Sequence, residues 1–277
     1  MPFSNLRWLV ILMSFTLALA QCSHTKENSR KAILEMAECW FKRAFEQGAD
    51  LLVFPEGFMG KYSVEEKRFF VTPEQIDGFF CTQMSALAKK YAMHCIFTFN
   101  ESNGEDKPFN TAVLLNSGGG VISLYRKVHL FDTDFIKESS RICSGNSLFE
   151  PVETTFGKIG LAICYDIRFP ELARYEALHG CQLLIIPAAW FDGCLKLEQW
   201  HTLLRARAIE NEMFVAGLSR PDEGCIGNSI VFGPDGKVIA SGGSVDELIC
   251  ANIDIDEIEE IRKKIPVFKH RKPELYN

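Results

Sequence analysis

No stretch of the 277 residues is apolar over the roughly 20 positions that a membrane-spanning helix needs, and the longest candidate, Trp8 to Ala20, falls short. No Cys-x-x-C pair and no finger-like Cys/His spacing occurs, so no zinc site is expected. No cofactor is expected either. Positive charge is not in excess. The 30 Lys and Arg against 36 Asp and Glu give a net charge of −6, which speaks against nucleic acid and anionic membranes as partners. The basic stretch Arg262 to Lys272 is short and reads as a solvated or subunit-contacting tail. Repeats of about 20–50 residues and Pro/Gly/Ser-rich linkers are also missing, which leaves no obvious place to divide the chain.

What is present is an ordinary globular composition, 47% hydrophobic and 24% charged, at a length that fits one large domain or two small ones. Ten cysteines are scattered without regular spacing. A chain this long stabilises itself by its core rather than by a disulfide framework. Most of these cysteines are expected in apolar runs (such as Ala37 to Phe41, Met93 to Phe97, Leu248 to Ala251), where a reduced thiol packs as a small hydrophobe. A reducing, cytoplasmic compartment is therefore expected. At the front, Arg7 and the apolar residues up to Ala18-Leu19-Ala20 can be read as a secretory signal peptide cut before Gln21. The rival reading makes Phe15 to Gln21 a buried strand.

The following residues suit that strand. Asn28 or Ser29 can cap a helix whose apolar pairs Ala32-Ile33, Met36-Ala37, Trp40-Phe41 and Ala44-Phe45 recur every four residues, with Gly48 at its end. Leu51 to Phe54 then completes a strand–helix–strand unit. Downstream, the pattern predicts a helix opening at Pro73 and Glu74 and running to Lys90, then a strand at Cys95 to Phe99. Thr111 to Leu115 and Val121 to Tyr125 flank Gly118-Gly119-Gly120 as a hairpin, and residues 132–147 read as an irregular polar loop. Ile159 to Ile163, Phe169 to His179 and Leu183 to Ile186 form a second strand–helix–strand unit. A helix over Leu197 to Met213 and a strand over Phe214 to Leu218 follow. Ser229 to Phe232 and Lys237 to Ala240 make a hairpin around Pro234-Asp235-Gly236. A strand at Ile249 to Ile253 and a helix at Asp256 to Lys264 close the pattern. Alternation at the front with hairpins later calls for an α/β fold with mixed sheets.

Two chemically able residues share one placement. Glu56 directly follows the strand at Leu51 to Phe54, and Cys164 directly follows the strand at Ile159 to Ile163. The carboxyl ends of strands are where ligands bind in open α/β sheets. A cysteine there, ahead of a helix, is expected to feel a field that favours its thiolate, in the manner of a nucleophile elbow, although the Gly-x-Ser-x-Gly spacing is absent. Taken singly, Cys164 reads as a buried structural thiol, Lys127 as the end of a surface strand, and His129 as a hydrogen-bonded structural histidine with a Cys–His pair as its rival. Glu56 is harder to explain away, because an acid at the end of an apolar run needs a buried partner or a task.

Together, Phe54-Pro55-Glu56, Tyr125-Arg126-Lys127-Val128-His129-Leu130-Phe131-Asp132 and Gly160-Leu161-Ala162-Ile163-Cys164-Tyr165-Asp166-Ile167-Arg168-Phe169-Pro170-Glu171 resemble the nitrilase superfamily of carbon–nitrogen hydrolases. The resemblance runs from about Phe15 to the ending Arg271-Lys272-Pro273-Glu274-Leu275-Tyr276. It implies an α-β-β-α sandwich with mixed central sheets that dimerises, and a Glu–Lys–Cys triad. In that triad Cys164 is the nucleophile toward an amide carbon, Glu56 the general base and acid, and Lys127 with the Tyr165 backbone N–H the oxyanion stabilisers. Glu138 takes the place of the family's second, orienting glutamate. Asp166 and Arg168 are expected to brace the turn, and Trp190 and Phe191 to wall the pocket. Cys164-Tyr165-Asp166 resembles the amidase branches rather than true nitrilases, and Lys127-Val128-His129-Leu130-Phe131-Asp132 with Gln199-Trp200-His201 and Arg205-Ala206-Arg207-Ala208-Ile209-Glu210-Asn211 is most similar to the omega-amidase branch. That branch hydrolyses the terminal amides of 2-oxoglutaramate and 2-oxosuccinamate.

Phe58-Met59-Gly60-Lys61-Tyr62 and Ala188-Ala189-Trp190 depart from the branch pattern, so deaminated glutathione and N-carbamoyl amines stay open as substrates. A catalytically silent binding protein on the same fold is the alternative of another class. The resemblance also matches Phe15 to Gln21 to the family's first strand. The expectation is thus one domain over 13–277, with Met13 as the start and 1–12 as an extension outside the family.

Overall fold

The computed structural model describes residues 14–63, 65–222 and 224–276, so the extension at 1–12 and the start at Met13 lie outside the described residues. The chain runs β1 (Ser14–Gln21), α1 (Arg30–Glu46), β2 (Leu51–Val53), a small hairpin of β3 (Tyr62–Ser63) and β4 (Arg68–Phe69), and α2 (Phe79–Lys90). A meander of β5 (His94–Glu101), β6 (Phe109–Leu115) and β7 (Val121–Arg126) follows. The second half runs β8 (Val152–Thr154), β9 (Gly157–Leu161), α3 (Pro170–Leu178), β10 (Leu183–Ala188), α4 (Lys196–Asn211) and β11 (Phe214–Ser219). It ends with β12 (Ile230–Phe232), β13 (Val238–Ser241), β14 (Glu247–Asp254), α5 (Asp256–Lys264) and α6 (Val267–His270).

These strands form two six-stranded sheets, in the orders β14-β1-β2-β5-β6-β7 and β13-β12-β11-β10-β9-β8. Both are mixed. β1, β2 and β5 are parallel, as are β9, β10 and β11, and the outer pairs are antiparallel. The period-2 alternation of strand side chains sets the layers. On β1, Phe15, Leu17 and Leu19 face the second sheet, while Ala18 and Ala20 face α1 and α2. Leu51, Val53 and Ile96 join the inter-sheet core; Leu52, Cys95 and Phe97 join the helix side. Leu172, Ala173 and Ala177 of α3 and Trp200, Leu204 and Ala208 of α4 cover the far face of the second sheet. The result is the expected α-β-β-α sandwich. β1 lies inside its sheet between β14 and β2, so a cut after Ala20 would remove a central strand.

Three expectations need correction. α2 opens at Phe79, not at Pro73. Glu74 caps it from outside the helix, its Oε1 accepting the Phe80 and Cys81 backbone N–H groups. A Pro followed by an acid therefore marked the approach to the helix rather than its first turn. Cys39 and Cys250 are exposed, whereas Cys95 is buried. Their apolar neighbours turn inward by helical or strand period, and these two thiols fall on the outward phase. The sequence pattern also passed over β8 and the β3–β4 hairpin, both too short to carry a periodicity.

Glu176 of α3 is completely buried beneath β9. Room for it depends on Gly160, where a Cβ would stand 1.8 Å from Glu176 Oε2 and 2.7 Å from Cys181 Sγ. Burial, and then the Asp166 charge, push the Glu176 carboxyl well above the usual carboxylate range. A carboxyl whose folded pKa is raised contributes stability that is full below its unfolded value and is lost as pH rises toward the folded one. Urea unfolding should accordingly show wild type losing up to about 1.4 kcal/mol per pH unit more than Glu176→Gln between pH 5 and pH 8. Equal slopes would show that Glu176 ionises freely in the fold.

Candidate active site

Glu56 follows β2, Lys127 follows β7 and Cys164 lies just past β9. β2 and β7 belong to the first sheet and β9 to the second, so the cluster forms across the seam between the sheets. Lys127 is 2% exposed and donates to Glu56 Oε1 at 2.9 Å and to Glu138 Oε1 and Oε2 at 3.0 and 2.9 Å. Glu138 reaches it from the 3-10 turn Glu138–Ser140, inside the loop that read as irregular. The Phe131 backbone N–H holds Glu138 Oε2 at 2.6 Å. Glu56 Oε1 also accepts from Asn110 Nδ2 at 2.8 Å, and Glu56 Oε2 accepts from the Ala189 backbone N–H at 2.8 Å. The Cys164 thiol stands close enough to the same carboxylate for the two groups to interact.

The charges of this cluster follow from competition between burial and partners. Burial by itself would raise the Glu56 carboxyl. The Lys127 charge and hydrogen bond, with the Cys164 thiol and the Ala189 backbone N–H, outweigh it and hold Glu56 below its usual value. Burial likewise disfavours the Lys127 ammonium, yet Glu56 and Glu138 keep it well above the ordinary lysine value. The Cys164 thiol is pushed well up, first by burial and then by the Glu56 charge, with Lys127 opposing only in part. The resting state is carboxylate, ammonium and thiol. This corrects the expected thiolate. Cys164 opens the five-residue 3-10 turn Cys164–Arg168, and α3 begins only at Pro170, so the helix field does not act on the sulfur from where it was expected.

The elbow geometry itself is present. Cys164 has φ +48°, a left-handed backbone that costs a non-glycine residue about 1–3 kcal/mol. Asp166 ties the turn down. Its Oδ2 accepts the Ile163 backbone N–H and the Tyr125 hydroxyl, both at 2.9 Å, and its Oδ1 accepts the His129 backbone N–H at 3.1 Å. The same Oδ1 lies 2.8 Å from His129 Nδ1, and the imidazole stacks on Phe169 with centroids 3.6 Å apart. His129 is thus a structural histidine bound to Asp166.

Glu56, Lys127, Glu138 and Cys164 line a cavity of about 250 Å³. Tyr165, Trp190 and Phe191 lie in its wall, with Phe131 packed against the Tyr165 ring at 5.1 Å. Gly60, Lys61, Ala189 and Trp190, from the two stretches that depart from the omega-amidase pattern, line it as well. Arg168, expected to brace the turn, reaches across to α4 and also borders the substrate-sized space. It stands in the cavity wall, donating from Nη2 to Gln199 Oε1 at 2.7 Å, its guanidinium 4.8 Å from the Trp190 ring. Sequence reasoning missed Asn110 and the Ala189 N–H as holders of Glu56, and Lys196 and Arg220 as wall residues. A polar Asn opening an apolar strand was the one usable signal, and it is a weak one. Among the described residues no cluster of three His, Cys, Asp or Glu is arranged to hold a metal ion, and no helix is long and apolar enough to cross a membrane.

The carbon–nitrogen hydrolase family model matches residues 16–263, which include every member of the cluster. The chain belongs to this family, within the nitrilase superfamily. Omega-amidase NIT2 of Homo sapiens is 34% identical over 275 residues, covering 96% of this chain and 98% of the relative. Deaminated glutathione amidase of Rattus norvegicus is 35% identical over 275 residues, covering 93% and 83%. Among solved structures, the carbon–nitrogen hydrolase from Helicobacter pylori superposes with a TM-score of 0.85 at 26% identity, covering 96% of this chain and 98% of that one. Nit3 of Saccharomyces cerevisiae, a member of branch 10 of the nitrilase superfamily, gives 0.83 at 31% identity, covering 94% and 97%. This hydrolase therefore acts on carbon–nitrogen bonds other than peptide bonds, and its cavity is of a size for a small molecule.

Proposed function

We propose that the protein is a thiol amidase that hydrolyses the terminal carboxamide of a small acid, in the manner of an omega-amidase, through a thioester on Cys164. The observation that carries this is the buried Glu56–Lys127–Glu138 cluster set against the Cys164 thiol in one small cavity. The Cys164 sulfur attacks the amide carbon as Glu56 takes the thiol proton. The C–N bond breaks, the nitrogen receives that proton from Glu56, and ammonia departs. Water then attacks the thioester, giving one proton to Glu56, which returns it to the sulfur as the acid leaves. Lys127 directs its hydrogen bonds to the two glutamates, so its help to an oxyanion is chiefly by charge, while the Tyr165 backbone N–H offers the direct donor. Glu138 holds the ammonium in place.

Ammonia release from 2-oxoglutaramate, 2-oxosuccinamate, deaminated glutathione, an N-carbamoyl amine and a nitrile tests the reading. The oxo-acid amides should be the best substrates, and Cys164→Ala should reduce release to background. A Cys164→Ala protein as fast as wild type would overturn it. In the same reading 13–277 form one catalytic domain that works as a homodimer in the cytoplasm. Support for the dimer comes from exposed apolar side chains on α3, α4 and the tail, among them Leu178, Ile209, Ile265 and Leu275. Support for the compartment comes from the interior place of β1, which an export cut after Ala20 would remove.

A further inference from the structure

An amidase for acid amides needs a group that receives the substrate's negative charge, and the Glu56–Lys127–Glu138 cluster does not provide one, because Lys127 is already bound by two carboxylates. The wall also holds Lys61, Arg141, Arg168, Lys196 and Arg220, of which the last three differ in how they are satisfied. Arg220 is tied to Asp222, with Nε 2.8 Å from Oδ1. Arg168 donates to the neutral amide of Gln199. Lys196 has no carboxylate within salt-bridge distance among the described residues; its ammonium sits 5.4 Å from the Trp190 ring centroid and 5.5 Å from that of Phe131.

The backbone fixes where this charge stands. Leu195, at φ +58°, turns the chain into α4, and the Trp190 indole Nε1 donates to the Lys196 carbonyl at 3.0 Å. The residue is therefore pinned to the aromatic wall, half-buried and within electrostatic range of Cys164. Burial, then the neighbouring Arg168 charge, hold its pKa below the ordinary lysine value, the mark of a cation that lacks a counter-charge. An ammonium beside aromatic faces and a second cation, in a cavity whose acidic members are already paired, favours an anionic ligand group.

We infer that Lys196 is a specificity-determining residue that binds the carboxylate of an acid amide while the carboxamide sits at Cys164. This rests on the amidase reading and names a feature of its substrate: a negative charge at the end away from the scissile bond. The test compares succinamate with butyramide, which differ by that charge, in wild type, Lys196→Met and Lys196→Arg. In Lys196→Met the ratio of kcat/KM for succinamate to that for butyramide should fall about 10- to 100-fold, mainly through KM for succinamate. Lys196→Arg should restore most of the ratio. An unchanged ratio, or an equal fall on both amides, would overturn the assignment while butyramide turnover by wild type leaves the amidase reading standing. Wild type inert toward every amide of the wider panel would overturn both.

Discussion

Glu56→Gln should slow ammonia release about 10²- to 10⁴-fold, the range that a positioned general base supplies. The amide has nearly the shape of the carboxylate, but it cannot take the thiol proton or return it to the leaving nitrogen. It also meets the Ala189 backbone N–H, a donor that now needs Glu56 Oε2 as acceptor. The loss is chemical rather than structural if a second readout moves in the opposite sense. The Glu56 charge and the contact of its carboxylate with the thiol both raise the Cys164 pKa, so their removal should bring the thiol's titration down. Thiolate absorbance followed against pH reads this directly. Loss of turnover with no downward shift would place Glu56 in the scaffold rather than in proton transfer.

Lys127→Met should cost about 3–5 kcal/mol of stability, the price of a buried charge left without its partner, and should abolish turnover. Glu56 and Glu138, each 7% exposed, would then share a dry site without their common cation. The pH dependence has a definite sign. In wild type, Glu56 is held below its usual value, so the stability it contributes is present above the unfolded pKa near 4.5 and is lost as pH falls through the folded one. In the variant, burial is no longer opposed by the ammonium and the Glu56 carboxyl pKa rises. Stability is then lost as pH rises, and acidification from pH 7.5 to about pH 5 should recover part of it in urea unfolding. A variant that stays as stable as wild type at pH 7.5 would show that water or other groups neutralise the glutamates.

The candidate site was legible in the sequence to the extent that it sits at strand ends. Glu56 and Cys164 each follow a short apolar run, and the strands β2 and β9 deliver both to the same rim. Lys127 shares that placement after β7, but its burial is a tertiary fact: an Arg-Lys pair ending a strand looks solvated until Glu56 and Glu138 close over it. Glu138 was legible only through the family resemblance, since one turn of 3-10 helix in a polar loop leaves no periodic trace. Asn110 left only the weak signal of a polar residue opening an apolar strand, and Lys196 left none. Each acts through neighbours distant in sequence, Glu56 for the first and the Trp190 wall for the second. The same distinction explains Cys39, Cys250 and the opening of α2. A run of apolar letters carries no phase, and a cap can reach across from outside its helix.

The cluster draws Glu56 and Lys127 from one sheet and Cys164 and the Ala189 N–H from the other. The apolar layer between the sheets therefore serves as an alignment bearing as well as a core. Sliding one sheet over the other by a fraction of a residue would leave every strand and helix intact yet separate Glu56 from Cys164. Tolerance to substitution should thus be narrower at Leu17, Leu51 and Ile96, which face that layer, than at the equally buried Ala18, Leu52 and Phe97 beneath the outer helices.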